Sequence, residues 1–169
     1  RLDLDALDEV FGFSHSMILV PEEKSDRLVM IASHGYGDDA VGAEVRIGQG
    51  LIGAVAAAKR LLRISSLHSD LHYGRAVREE YEQQEKERTD LTAEIPLPGL
   101  CDAKSQMAIP LMVQDRLIGV LALEARDILT FEQWHEAFLQ VLANQIAISI
   151  DRMTDRDRDR DEAEASAEP

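Results

Sequence analysis

Cysteine is nearly missing from this chain of 169 residues: Cys101 is the only one. An internal disulfide therefore cannot close, and the sets of thiolates that structural zinc needs cannot be assembled. A reducing compartment fits. Long apolar runs are missing as well, since no stretch approaches the roughly 18 residues of a membrane helix, and the N-terminus has no basic region followed by an apolar core. The sequence thus predicts a soluble, cytoplasmic module. Basic charge is scarce beside acidic charge, with 18 Lys and Arg against 32 Asp and Glu and a net charge of -14. Phosphate backbones reward clustered Lys and Arg, so nucleic acid is excluded as a partner. Also missing are a Ser, His and Asp arrangement with a nucleophile elbow and a carboxylate pair distinguishable from surface charge. The sequence offers no catalytic residues and does not read as an enzyme.

What is present is 45% hydrophobic and 30% charged, an ordinary composition for one globular domain. Leu4, Leu7 and Phe11 fall at helical spacing and predict a short helix entering from an upstream segment. Because the chain starts at Arg1 already inside that pattern, it reads as a piece of a longer protein whose output domain lies elsewhere. Residues 16–20 and 27–33 are apolar runs separated by the polar link Pro21 to Asp26, hence hairpin strands. Residues 43–47 alternate as a half-exposed strand. LIGAVAAAK, with Ile52, Val55, Ala56 and Lys59 on helical spacing, predicts a compact helix, and residues 62–64 a short strand.

The most informative stretch follows a long polar insertion at residues 67–104, a segment length that in a compact domain is usually functional. SQMAIPLMV and LIGVLALEA are strand-length apolar runs with Gln114, Asp115 and Arg116 between them, an antiparallel hairpin. A helix comes next from about Thr130, whose hydroxyl is placed to cap it. Its main apolar stripe is Phe131, Trp134, Phe138, Val141, Leu142, Gln145, Ile146 and Met153; Leu139, Ala143, Ala147 and Ile150 lie off that stripe. A sheet covers only one side of such a helix, so the other is available to a second subunit. A charge-alternating tail, residues 154–169, reads either as a solvated continuation of the helix or as a linker.

In this order of elements the chain resembles a GAF domain. The likeness is carried by IGQGLIGAVAAAKRLLRI at residues 47–64, SQMAIPLMVQDRLIGVLALEA at 105–125 and FEQWHEAFLQVLANQIAISI at 131–150. The resemblance implies an α/β fold with a central, mostly antiparallel six-stranded sheet flanked by helices on both faces. It divides the chain into a linker helix at residues 1–13, a sensor domain at 14–153 with its exit helix at 130–153, and the charged tail. It implies a sensory, regulatory domain that binds a small molecule and signals through the C-terminal helix to a covalently linked output domain, working as a homodimer through its terminal helices. The alternative is a ligand-free dimerisation module whose pocket is filled by its own side chains.

The motifs narrow the ligand without identifying a cofactor. Gly48-Gln49-Gly50-Leu51-Ile52-Gly53 satisfies GxGxxG, but that fingerprint needs a buried parallel strand before it and an acidic residue about 20 positions on at the end of a second strand. Here the preceding strand alternates and Asp70 lies in the insertion, so these glycines read as turn formers. The Asn-Lys pair of cyclic-nucleotide GAF domains is absent, and only Phe131 and Glu136 survive of their later motif. Cys101 is followed by Asp102 and not by the His common at bilin attachment sites, and methionine sulfoxide reductases of this family need more than one cysteine. His68 and His72 share metal-ligand spacing, with His15 and His34 at strand ends and His135 on the exit helix. Lacking a third ligand at fixed spacing, these read as surface histidines and the chain as holding no metal. The ligand site is expected between the sheet and the insertion, lined by Tyr36, Tyr73, Arg78 and Gln106. Tyr36 is flanked by two glycines, Tyr73 and Arg78 bring an aromatic face and a charge to a segment poor in anchors, and Gln106 is a polar group in an apolar strand.

Overall fold

A computed structural model describes residues 4–11, 13–36, 40–65, 103–127 and 133–165. Helix α1 (Asp5–Phe11) leads into the strands β1 (His15–Pro21), β2 (Arg27–His34) and β3 (Glu44–Arg46). Helix α2 (Gly50–Ala58), strands β4 (Leu62–Ser65), β5 (Ser105–Val113) and β6 (Arg116–Ala125), and helix α3 (Gln133–Ala165) follow. The strands form one six-stranded sheet in the order β3-β2-β1-β6-β5-β4. Every recorded pairing is antiparallel.

Both faces of the sheet are covered, which is why β5 and β6 read as nearly continuous apolar runs and do not alternate. On one face Ile18, Met107, Ile109, Leu111, Leu121 and Leu123 pack with Leu4 and Leu7 around α1 and with Leu139, Ala143, Ile146, Ala147 and Ile150 of α3. On the other, Met17, Leu19, Leu28, Met30, Ala108, Val120 and Ala122 pack with Ile52, Val55 and Ala56 of α2. Pro110 sits in β5 just past Ala108, the last residue that β4 pairs with. A proline lacks a ladder donor and is tolerated where a neighbouring strand has ended. The β5–β6 turn reverses over Gln114 and Asp115, with Gln114 at a left-handed φ of 53°, and Arg116 already pairs with Val113.

Helix α3 presents one of its two apolar sides to the sheet. The residues off its main stripe are the ones buried on the sheet: Leu139, Ala143, Ala147 and Ile150 are at most 8% exposed. Of the main stripe, Ile146 joins them, whereas Trp134, Phe138, Val141 and Met153 are 50 to 63% exposed. Both sets recur at helical spacing, so the sequence left open which of them the sheet covers. Alanines 143 and 147 let the helix lie close to the sheet, which favours the smaller set. The backbone stays helical well past Met153, to Ala165, so the charged tail continues the helix as far as that residue. No helix among the described residues is long and apolar enough to cross a membrane.

Candidate functional site

On the α2 face, at the end of the sheet where β1 begins and β6 ends, four residues align across four strands. His15 of β1 is opposite Glu124 of β6, Glu124 is opposite Gln106 of β5, and Gln106 is opposite Ile64 of β4. The next row in is made of Met17, Ala122, Ala108 and Leu62, so two alanines keep the floor beside the polar row shallow. The chain leaves β4 at Ser65 and rejoins the sheet at Ser105, and these two residues pair with each other. Both anchors of the long insertion therefore lie at this end of the sheet.

Glu124 is 9% exposed, and burying a carboxylate is costly unless hydrogen bonds compensate. Two neutral donors do so. The Tyr36 hydroxyl donates to Glu124 Oε2 at 2.6 Å, and the Gln106 amide donates to Glu124 Oε1 at 2.9 Å. Burial first, and then the charge of Glu124 and the hydrogen bond to it, push the Tyr36 phenol far above the usual tyrosine range. Tyr36 is thus a donor and a ring surface, not a base. Its ring meets the ring of His15 edge on, with centroids 4.9 Å apart and planes at 69°. His15 Nδ1 in turn lies 2.9 Å from Ser14 Oγ.

Backbone geometry holds Tyr36 over the row. Gly35 has a φ of 80°, and a Cβ built on it would lie 2.2 Å from the Ser14 carbonyl oxygen. Only glycine allows β2 to turn this close to the start of β1.

Of the four residues expected from the sequence, the structure brings Tyr36 and Gln106 together on one carboxylate. Tyr73 and Arg78 lie outside the described residues, as do Cys101, His68, His72 and Phe131. Glu124 was missed, although it carried the same signal that marked Gln106: it is the one charged residue in LIGVLALEA. His15 was read as a surface histidine, and this is corrected: it is 7% exposed, because β1 is central and its first residue is roofed by Tyr36. His34 is partly exposed, its Nε2 3.6 Å from Asp8 Oδ2 of α1. His135 stacks on Trp134, and Glu136, one of the two surviving positions of the cyclic-nucleotide motif, pairs with Arg63 of β4. No group of three or more metal-ligating side chains occurs among the described residues.

The family model described as GAF domain matches residues 4–150. No curated protein matches the chain. Among solved structures, the GAF domain of a phosphoenolpyruvate-protein phosphotransferase from Coxiella burnetii superposes with a TM-score of 0.70 at 21% identity, covering 94% of this chain and 83% of that one. The second GAF domain of DevS from Mycobacterium smegmatis gives 0.65 at 16% identity, covering 94% of each chain. A free methionine-R-sulfoxide reductase from Neisseria meningitidis, solved with its substrate, gives 0.60 at 19% identity, covering 89% of this chain and 75% of that one.

Proposed function

Because the chain belongs to the GAF-domain family, we propose that it is a sensory and regulatory module that takes a small molecule over the Tyr36–Glu124–Gln106 row. One observation carries this reading: a buried carboxylate of β6, the phenol of Tyr36 just past β2 and a carboxamide of β5 converge at the end of the sheet where Ser65 and Ser105 flank the long insertion. Ligands favour concave sites with a few convergent polar groups set among apolar ones. Tyr73 and Arg78 of the insertion complete the proposed lining. A ligand ordering that segment would shift α3 between two packings by no more than its differential affinity for them, and α3 would pass the change to a linked output domain in a cytoplasmic protein that works as a pair of chains.

The reading is regulatory and not catalytic. The row holds a carboxylate whose two oxygens accept from neutral donors and a tyrosine that keeps its proton. One cysteine in the whole chain also leaves thiol redox chemistry without a resolving partner. A second reading, a module whose pocket is filled by its own side chains, is favoured by the Tyr36 hydroxyl, which itself occupies Glu124. A thermal-shift screen of cell metabolites separates the two. A compound that raises the melting temperature should slow hydrogen exchange in residues 67–104 and bind more weakly to Arg78→Ala; protection confined to α3 would move the site elsewhere.

A further inference from the structure

Residues 137–150 of α3 carry no charged side chain, in a chain that is 30% charged. The first charge on either side of that window is tied to the sheet. Glu136 pairs with Arg63 of β4, and Asp151 pairs with Arg116, the first residue of β6, at 2.5 Å. The two carboxylates lie about 22 Å apart along the helix. Between them the contact with the sheet is apolar, made by Leu139, Ala143, Ile146, Ala147 and Ile150. Apolar burial is non-directional, so it holds the helix down without fixing where each end lies. The two ion pairs supply that position.

The two attachments differ in what stands behind them. Arg116 opens β6, an inner strand of the sheet, and the turn before it is itself held: Lys59 Nζ, at the C-cap of α2, donates to the Asp115 carbonyl at 2.8 Å. The Asp151 side chain is also the better shielded, at 16% exposed against 34% for Glu136. Arg63 lies instead in β4, a four-residue strand at the edge of the described sheet. Side chains alternate along a strand, and β4 uses both sides. Leu62 packs against the α2-face cluster and Ile64 ends the polar row beside Gln106, whereas Arg63 between them reaches the other face and Glu136. One short strand thus borders the row on one face and holds the start of α3 on the other.

We propose that the Arg63–Glu136 pair is the releasable latch through which β4 sets the position of the first turns of α3, and that the Arg116–Asp151 pair is the fixed point about which the helix tilts. An exposed ion pair is weak and is screened by salt, which suits a contact that must let go. Arg63 and Ile64 share one stretch of backbone, so a displacement of β4 at the row moves the guanidinium on the opposite face. Glu136 then either follows it or is released, and these two arrangements are the states that a ligand over the row would bias. The motion is confined to the end of α3 nearest the row, and the end held by Arg116 stays in place. The inference rests on the reading of α3 as the exit helix, but its test involves no ligand, so its failure would leave the ligand site standing.

Hydrogen exchange of the 169-residue chain, read by mass spectrometry, is the test, with circular dichroism confirming that each variant folds. Glu136→Gln should speed exchange in residues 137–142 at least about twofold, the scale of a lost exposed ion pair, and leave residues 147–153 unchanged. Arg63→Glu combined with Glu136→Arg should restore the parent's protection. An effect of charge at the helix start alone would not be restored, since an arginine there opposes the helix dipole. Ile64→Ala, on the row side of β4, should speed exchange in residues 137–142 of the parent and add nothing in an Arg63→Ala background. Asp151→Asn should loosen α3 along its whole length from residue 137 to 153. Unchanged exchange in Glu136→Gln, or a reversed pair that fails to restore protection, overturns the latch. An Ile64→Ala change that leaves α3 untouched, or reaches it equally without Arg63, overturns the route through β4. Loosening by Asp151→Asn that stops short of residues 137–142 overturns the fixed point.

Discussion

Tyr36 and Glu124, 88 residues apart in the chain, meet through a hydrogen bond of 2.6 Å that ties the turn after β2 to the end of β6. This bond crosses β1, so it draws together three strands of the sheet at the place where the insertion is anchored. Its energetics differ from those of an exposed pair, because the carboxylate is buried and the phenol half-buried.

The Tyr36 proton should be held through pH values at which an ordinary tyrosine ionises. A group whose proton is bound more tightly in the folded state contributes stability that is complete below its unfolded value, about pH 10 for tyrosine, and declines as the pH rises past it. Spectrophotometric titration of the three tyrosines should therefore show one phenolate appearing only with alkaline unfolding. In Tyr36→Phe that late component should vanish; its persistence would place the buried phenol elsewhere.

Glu124→Ala removes the acceptor for both the Tyr36 hydroxyl and the Gln106 amide. Leaving fully buried donors unmet costs about 1 to 3 kcal/mol each; these two are half-buried, so the melting temperature should fall below that of the parent by less than that full penalty. Glu124→Gln keeps the shape and one acceptor oxygen, and should lose less. Equal losses would mean that charge, and not hydrogen bonding, holds the cluster.

Ser16 gives the opposite expectation. Its side chain is fully buried in β1, and its hydroxyl oxygen has no hydrogen-bond partner among the described residues. A buried unmet hydroxyl carries a desolvation penalty, so Ser16→Ala should leave chemical-denaturation stability unchanged or raise it. A loss above about 1 kcal/mol, the size of an ordinary hydrogen bond, would reveal a bond that this conformation does not form.

The two sides of α3 predict contrasting stabilities. Leu139→Ala, in the core against β5, should cost about 2 to 5 kcal/mol. Val141→Ala should change the stability of the fold by no more than about 0.5 kcal/mol. Chemical denaturation makes this comparison, and the reverse order would make the aromatic stripe the core face.

Much of the fold was legible in the sequence, since the apolar runs from His15 to Pro21 and from Ser105 to Ala125 have strand length and clear turns between them. Tyr36 and Gln106 were legible for a related reason: each is a polar or aromatic group where the pattern calls for something else. Glu124 was harder to see because it stands one residue from the end of β6, beside Arg126 and Asp127, where a charge looks like the start of a loop. What buries it is Tyr36, a contact made across the sheet and invisible to local pattern. The face of α3 was illegible for a different reason. Two stripes of similar period run along one helix, and periodicity cannot tell which of them a sheet will cover.

Native mass spectrometry of freshly purified protein, run beside Glu124→Ala, tests the sensing role most directly. The account predicts that the parent chain carries, or takes up from a metabolite extract, a small molecule of defined mass, and that Glu124→Ala loses it while remaining folded. A parent chain that stays at its bare mass throughout, or an adduct that survives Glu124→Ala unchanged, would contradict the claim that this row of residues receives a ligand.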